Sequence, residues 1–253
     1  MEEKMNANDL TTVAYGKVKG KKYELALLPW GATEPHNYHL PYLTDALIAK
    51  RLSLDALLWA MQKIDIQGMV LPPVVFGSQN PGQRDLTFCI HTRYETQKGI
   101  LTDIVASLHR QGIYKLVLVN GHGGNAFKNM VRDLSVDYPD FFIAIVDSFS
   151  VVPQVGYFEE FDDHAGEMET SLLMYYHPEL VFLSEAGDGD FIPSAIPSLN
   201  NKVAWAPRHW TKVSTDTGIG NPKKATIDKG ERYAKDVAAT IGQLIVDLAT
   251  CHR

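Results

Sequence analysis

This sequence has few cysteines, no block of basic residues and no long apolar run. Its 253 residues contain two cysteines, Cys89 and Cys251, so a disulfide framework is not expected and a reducing compartment fits. Acidic and basic residues are interleaved with a net charge of -6, which argues against a nucleic acid as partner. No apolar run approaches the roughly 20 residues needed to span a bilayer, and the first residues lack the apolar core of a signal peptide. We therefore expect a cytoplasmic protein without a membrane partner.

Short apolar runs alternate with longer amphipathic runs along the chain. The pattern predicts strands at 23–28, 69–76, 115–119 and 141–146, and helices at 45–63, 96–111, 126–136, 167–176 and 223–249. Four rounds of strand then helix predict a mainly parallel central sheet with helices on both faces. We expect a single domain over residues 1–253, because no repeat or linker interrupts the pattern. The irregular stretch 185–221 is too long for an idle connection, which suggests a lid or an oligomer contact.

The loop after the first apolar run carries four residues suited to metal chemistry. Glu34 and His36 are two residues apart, so in extended backbone both point to the same side. Asp45 begins the next helix, where a carboxylate suits the positive end of the helix dipole, and His39 lies between them. Carboxylates and imidazoles are common ligands of divalent metals. Each residue alone could be a first-turn acid or a surface side chain, but four in one loop indicate function.

A second loop, residues 120–125, follows the third apolar run and reads Asn-Gly-His-Gly-Gly-Asn. Glycines allow the backbone to approach a ligand closely, and the amides of Gly123 and Gly124 are free to hold a developing oxyanion. His122 occupies the middle of this loop, an unusual place for a packing histidine. The alternative is a tight turn with an incidental histidine. Phosphate binding is not indicated, because the Gly-Lys-Ser/Thr ending of a phosphate-binding loop is missing.

The third segment, residues 162–171, places His164 and Glu167 three residues apart, so the two share a face if the segment is helical. Glu167 could supply a carboxylate ligand, and His164 could act as general acid or base. The alternative is an ordinary acidic helix start with Asp163 as its cap. All three segments follow strand-like runs, so we expect them to converge at one edge of the sheet.

Together the three segments offer five candidate metal ligands. They are Glu34, His36, Asp45, His122 and Glu167. Mixed oxygen and nitrogen ligands suit Zn²⁺, Mn²⁺ or Fe²⁺. Five ligands with one bridging carboxylate suit two ions better than one.

The order and spacing of these motifs resemble the creatininase (creatinine amidohydrolase) family. The matching pieces are Pro-x-Gly-x-x-Glu-x-His at 29–36, His-Leu-Pro at 39–41, Thr-Asp at 44–45, the loop 120–125, His-Ala-Gly-Glu-x-Glu-Thr-Ser at 164–171 and a C-terminal signature at 220–230. The resemblance implies a three-layer α/β/α sandwich, a dinuclear metal centre and hydrolysis of a non-peptide C–N bond, usually of a cyclic amide. It also implies a homo-oligomer, often a hexamer.

Applied to individual residues, the resemblance implies roles for most of the candidates. Glu34 and His122 would hold one metal, His36 and Glu167 the other, and Asp45 would bridge them. His164 resembles the proton-transfer residue of the family, and a water bridging the metals would attack a small-molecule substrate. The amides of Gly123 and Gly124 would stabilise the oxyanion, and Trp30 and Tyr38 could wall the pocket. His39 is then better explained as a neighbour of the ligands than as one of them.

Two departures leave the substrate open. Creatininase itself has a glutamate where this chain has Gly124, so Glu167 has to supply that carboxylate. The loop 77–85 replaces the histidine and the Phe-Pro-Gly-Thr run of many members, so Arg84, Asp85 and His91 predict a different pocket. The alternatives are deformylation of a formamidopyrimidine, trimming of a peptide-derived cofactor precursor, and a non-catalytic protein that binds a small ligand.

Overall fold

The computed structural model of the chain describes residues 7–160 and 162–251. Its strands are β1 Leu25–Trp30, β2 Gly68–Val70, β3 Lys115–Asn120, β4 Phe142–Asp147, β5 Asp162–His164 and β6 Ile219–Gly220. Its α-helices are α1 Tyr15–Val18, α2 Thr44–Met61, α3 Tyr94–Arg110, α4 Lys128–Asp137, α5 Glu167–Tyr176, α6 Pro197–Asn200, α7 Trp210–Val213 and α8 Ile227–Thr250.

The four predicted strands form one parallel sheet in the order β2-β1-β3-β4, which confirms the predicted mainly parallel sheet. Strand β2 ends at Val70, although the apolar run continues to Phe76. The reason is Pro72 and Pro73, which have no backbone N–H to donate to a neighbouring strand. Strands β5 and β6 pair antiparallel in a separate two-stranded sheet.

Helices cover both faces of the sheet, so the three-layer α/β/α sandwich is confirmed. Alternate residues of β1 point to opposite faces: Leu25 and Leu27 pack with residues of α2, α5 and α8. Ala26 and Leu28 pack on the other side with residues of α3 and α4. The apolar side chains of the strands therefore fill two separate cores, one on each face.

The two loops that carry most of the candidate metal ligands leave the sheet at the same edge. β1 ends at Trp30 and β3 ends at Asn120, and these two residues are register partners. The loops that follow, 31–43 and 121–127, therefore start side by side, as expected of neighbouring parallel strands. Within the described residues, no helix combines the length and the apolar character needed to cross a membrane.

Candidate metal centre

The described structure brings four of the five predicted ligands into one buried cluster. Among the described residues, three groups of three residues have ligand atoms that, within each group, all lie within 4.8 Å of one another. The first group is Glu34, Asp45 and His122, the second is His36, Asp45 and Glu169, and the third is Glu34, His36 and His164. Asp45 is common to the first two groups.

Two glycines allow Asp45 to lie against the ends of the strands. A Cβ atom on Gly31 would lie 2.5 Å from the backbone nitrogen of Ala46, and one on Gly121 would lie 2.6 Å from the carbonyl oxygen of Asp45. Because glycine has no Cβ, the start of α2 can approach both loops. The carboxylate at this helix start reaches His36 Nε2 at 2.9 Å through its Oδ1 atom.

Three histidines in the cluster each bond a backbone carbonyl through one ring nitrogen. The pairs are His36 Nδ1 with Glu34 O at 3.0 Å, His122 Nε2 with Ser78 O at 2.7 Å, and His164 Nε2 with Pro35 O at 2.9 Å. A carbonyl only accepts, so the ring nitrogen in each pair carries the hydrogen and donates. The opposite nitrogen of each ring faces a carboxylate. Metal-binding histidines in proteins are oriented in this way.

The carboxylates of the cluster also leave oxygens for a cation. Among the described residues, Asp45 Oδ2 is buried without a hydrogen-bond partner, although His122 Nδ1 lies 3.1 Å away. Glu169 Oε2 accepts from the backbone amide of Ala165 at 2.5 Å. Buried polar atoms normally have a hydrogen-bond partner. A divalent cation would supply a partner for Asp45 Oδ2 and for the ring nitrogens that face the carboxylates. The residues therefore fit a metal centre.

The pKa shifts of residues in the cluster also support a metal centre. Burial alone would lower the pKa of His36, but Asp45, Glu169 and Glu34 outweigh burial and raise this pKa to about 10. Burial raises the pKa of the Glu169 carboxyl well above its usual range, although His36 opposes this shift. Protons thus compete with a metal for the same atoms, as expected of ligands that must be deprotonated to bind.

This competition predicts a pH-dependent gain in stability from Mn²⁺. The interaction between protonated His36 and the carboxylate of Asp45 stabilises the metal-free fold fully below the ordinary histidine pKa of 6.5. This stabilisation is lost as the pH rises through about 10, because His36 then loses its proton. The increase in Tm that Mn²⁺ gives over EDTA-treated protein should therefore grow between about pH 6.5 and about pH 8.5. Differential scanning calorimetry at both pH values measures it, and an increment that stays constant would contradict the prediction.

Glu167 does not reach the cluster, and this corrects the predicted ligand set. Its Oε1 lies 2.5 Å from Lys229 Nζ, and its Oε2 accepts from the amides of Glu159 and Glu160 at 2.8 and 2.7 Å. Glu167 therefore fastens the loop before β5 to helix α8. The spacing argument fails because His164 lies in strand β5 and not on the helix.

Glu169 takes the place predicted for Glu167. Two residues apart on an α-helix correspond to a rotation of roughly 200°, so only one of the two glutamates can face the cluster. The carboxylate of Asp162 accepts from the amides of Met168 and Glu169 at 2.6 and 3.1 Å and fixes the start of α5. Ala165, with φ 55, turns the chain between the strand and this helix. A second glutamate in the motif was the only sequence signal for Glu169.

His164 belongs to the third group, with Glu34 and His36. Its Nδ1 is 3.8 Å from Glu34 Oε1, and its ring centroid is 4.3 Å from that of His36. Burial and the charge of His36 lower the pKa of His164, so its ring is neutral near pH 7. The ring of Trp210 packs edge-on against it with centroids 5.1 Å apart. His164 is thus placed to accept a proton next to the cluster.

The residues predicted to line a pocket have different surroundings. Trp30 is fully buried, its Nε1 donates to Phe76 O at 2.9 Å, and its ring packs on Phe127. The structure therefore places Trp30 in the core and not at a pocket wall. Tyr38 is 60% exposed, and its hydroxyl donates to Thr215 O at 3.4 Å.

Gly123 and Gly124 differ in the space around their Cα atoms. A Cβ on Gly124 would lie 2.2 Å from Ser78 O and 2.5 Å from His122 Nε2, so glycine is required there by the bond that orients His122. A Cβ on Gly123 would meet no atom within 4 Å. Gly123 is exposed, so its surface is open to a ligand.

The loop 77–92 holds the residues expected to give a different pocket. Arg84 and Asp85 are exposed in a short 3-10 helix. His91 Nδ1 accepts from the amide of Gln79 at 2.9 Å and fastens the loop. Gln83 was missed by the sequence analysis: it is buried, and its Nε2 donates to Glu34 Oε2 at 2.6 Å.

The stretch 185–221 borders the cluster. The Asn37 side chain accepts from the amide of Gly187 at 2.9 Å, and the backbone amide of Trp210 donates to Pro81 O at 2.7 Å. His39 is buried, and its Nε2 lies 2.8 Å from Thr170 Oγ1. His39 thus ties the first loop to α5 and stands outside the three groups of possible ligands found among the described residues.

Comparisons with known proteins match nearly the whole chain. The profile of the creatininase family, described as creatinine amidohydrolase, matches residues 8–245. A solved structure from Bacteroides fragilis NCTC 9343, described provisionally as a creatinine amidohydrolase, shares 56% identity and a TM-score of 0.96, and the match covers 98% of each chain.

Two curated relatives carry different names. A mycofactocin precursor peptide peptidase from Mycobacterium ulcerans (strain Agy99) is 30% identical over 213 residues, which cover 81% of this chain and 78% of that protein. The creatinine amidohydrolase of Pseudomonas putida is 27% identical over 253 residues, which cover 87% of this chain and 91% of that protein. Both names describe hydrolases, and they differ in what is cleaved.

Proposed function

Because this chain belongs to the creatininase family, we propose that it is a dinuclear-metal hydrolase that cleaves a non-peptide C–N bond of a small cyclic amide. The observation that carries the proposal is the orientation of the three histidines. Each ring donates to a backbone carbonyl and turns its other nitrogen towards a buried carboxylate. A core that only needed to pack would have no use for three imidazoles aimed at the carboxylates of Glu34 and Asp45.

Two of the three groups of ligand atoms support a proposal of two ion positions. Glu34 and His122 would hold one divalent ion, His36 and Glu169 the other, and Asp45 would bridge both. Oxygen and nitrogen donors in this mixture suit Zn²⁺ or Mn²⁺, with Fe²⁺ as a further option. Solved creatininases of the same fold are described in a manganese form and in a Zn-Zn form, which supports the choice of these metals for a first test.

The protein residues have separate roles in this mechanism. Divalent ions, when bound, lower the pKa of water towards neutrality and polarise a carbonyl group. His164, neutral near pH 7 and held by Pro35 O, accepts the proton of the attacking water at Nδ1 and passes it to the leaving nitrogen. The amides of Gly123 and Gly124 stabilise the developing oxyanion. Tyr38, which is exposed two residues after His36, would contact the substrate.

Replacement of His164 by glutamine should separate proton transfer from metal binding. We expect kcat to fall by roughly 10²–10⁴-fold, the usual contribution of a general acid or base, while the metal content stays unchanged. Steady-state kinetics and metal analysis by mass spectrometry measure the two effects. The control is His109→Gln on the surface of α3, where the ring pairs with Asp140; it should leave both values unchanged. Loss of metal from His164→Gln would show that His164 is a ligand.

The reaction class is tested with a panel of substrates. Purified protein loaded with Mn²⁺ or Zn²⁺ is assayed with creatinine-like cyclic amides, formamides and short peptides. We expect turnover of a cyclic amide. Turnover of peptides alone would favour a cofactor-precursor peptidase, an alternative supported by the 30% identity to the mycofactocin precursor peptide peptidase. Turnover of formamides alone would favour a deformylase, and inactivity with tight ligand binding would favour a non-catalytic homologue.

We also propose that the protein forms a homo-oligomer, with a hexamer as the first expectation. The segment 182–205 exposes several large apolar side chains to solvent. They are Phe182, Phe191, Ile192, Ile196, Val203 and Trp205. Large exposed apolar patches commonly mark contacts between proteins. The mass measured by light scattering decides between a monomer and an assembly.

A further inference from the structure

Gln83 makes an unusual contact with a candidate metal ligand. Its side chain is only 1% exposed, and its Nε2 donates to Glu34 Oε2 at 2.6 Å. The other oxygen of Glu34, Oε1, lies 2.9 Å from His122 Nδ1. One oxygen of this carboxylate is therefore held by an amide, and the other faces the cluster.

The amide of Gln83 is itself fixed in orientation. Its Oε1 accepts from the backbone amide of Asn80 at 2.6 Å, so its Nε2 must be the end that faces Glu34. The loop that carries Gln83 is held from the other side, because Pro81 O accepts from the amide of Trp210 at 2.7 Å. Gln83 is thus a preorganised donor and not a flexible side chain that happens to touch Glu34.

This arrangement has a consequence for coordination. A carboxylate can bind a metal through one oxygen or through both. With Oε2 engaged by Gln83, Glu34 offers Oε1 alone to an ion held with Asp45 and His122. A hydrogen bond to a ligating carboxylate fixes its orientation, and loss of such a partner typically weakens metal binding by roughly 10–100-fold.

Resting on the proposed function, we infer that Gln83 is a positioning residue that restricts Glu34 to one coordinating oxygen and strengthens one of the two ion positions. The affected position is the one formed by Glu34, Asp45 and His122. The position formed by His36, Asp45 and Glu169 does not involve Gln83 directly. The effect of Gln83 should therefore fall on one ion of the pair.

The test replaces Gln83 by methionine, which has a similar volume but no N–H donor. Isothermal titration with Mn²⁺ should show one site weakened by roughly 10–100-fold and the other little changed. The visible absorption spectrum of the Co²⁺-loaded variant should also change, because this spectrum reports the coordination number of the ion. Both measurements are independent of catalytic activity.

Gln97 provides the matched control. It is also a glutamine with 1% exposure, and its Nε2 donates to Ser78 Oγ and Thr92 O at 2.7 and 2.9 Å, which fastens the same loop. Gln97→Met should lower Tm comparably and keep wild-type Mn²⁺ binding and the wild-type Co²⁺ spectrum. Equal weakening of metal binding in both variants would overturn the role of Gln83.

The outcomes separate this inference from the proposed function. Wild-type protein that binds two ions, together with unchanged binding in Gln83→Met, would overturn the role of Gln83 alone. Wild-type protein that binds no ion would overturn the proposed function and with it the role of Gln83. Selective weakening of one ion in Gln83→Met supports both.

Discussion

Replacement of Asp45 by alanine is expected to remove both metal ions and to abolish hydrolysis. Asp45 belongs to both of the groups that would each hold one ion in the proposed function. Its Oδ1 lies 2.9 Å from His36 Nε2, and its Oδ2 lies 3.1 Å from His122 Nδ1. Loss of a direct ligand to both ions should weaken binding by more than the roughly 100-fold that loss of an outer partner can cause.

The measurement is metal content by mass spectrometry, alongside turnover of the active substrate. Wild-type protein should carry two ions per chain and the variant none. If wild-type protein binds no more metal than Asp45→Ala, the assignment of the site fails. Asp45→Asn keeps the volume of the side chain and removes its charge, so it separates loss of metal from loss of packing.

Asp55 on the same helix is a suitable control for this experiment. Its Oδ2 accepts from the hydroxyl of Tyr176 at 2.8 Å, far along α2 from the cluster. Burial raises the pKa of this carboxyl, so it too is a partly buried aspartate with a structural partner. Asp55→Asn should keep both ions. Loss of metal from Asp55→Asn would mean that the lower metal content of the Asp45 variants results from damage to α2 and not from loss of a ligand.

The central sheet and the position of the site could be predicted because they depend on local patterns. β1 and most of β3 are fully buried on both faces, so they appear as continuous apolar runs. The loops after them contain the histidines and carboxylates directly in sequence. Parallel strands then bring those loops together without further information.

The remaining features depend on contacts that the sequence does not encode locally. Strand β5 has the sequence Asp-Asp-His, which lacks any β-type pattern, and it exists because it pairs with β6. Gln83 and Trp210 reach the cluster from segments distant in sequence, so no spacing rule connects them to Glu34 or His164. β2 is short because prolines override an apolar run.

The sequence alone does not show whether Glu167 or Glu169 faces the cluster, because this depends on how the start of α5 is held. Both glutamates are buried in the first turn of α5, two residues apart. The structure directs Glu169 to His36 and Asp45, and Glu167 to Lys229. Glu169→Gln should therefore lose the ion on the His36 side and nearly all activity, because the bridged pair of ions is broken.

Glu167→Gln should instead keep both ions and lose stability. In the wild type, Oε1 of Glu167 pairs with the partly exposed Lys229, and Oε2 accepts from the amides of both Glu159 and Glu160. Glutamine replaces one of these two oxygens by an NH2 group, so it cannot serve both sides. Because Lys229 also pairs with Glu159, we expect a loss of about 1–3 kcal/mol in the free energy of unfolding. Denaturant unfolding and metal analysis of the two variants side by side measure the difference. Loss of metal from Glu167→Gln with retention in Glu169→Gln would reverse the assignment and restore the ligand expected from sequence.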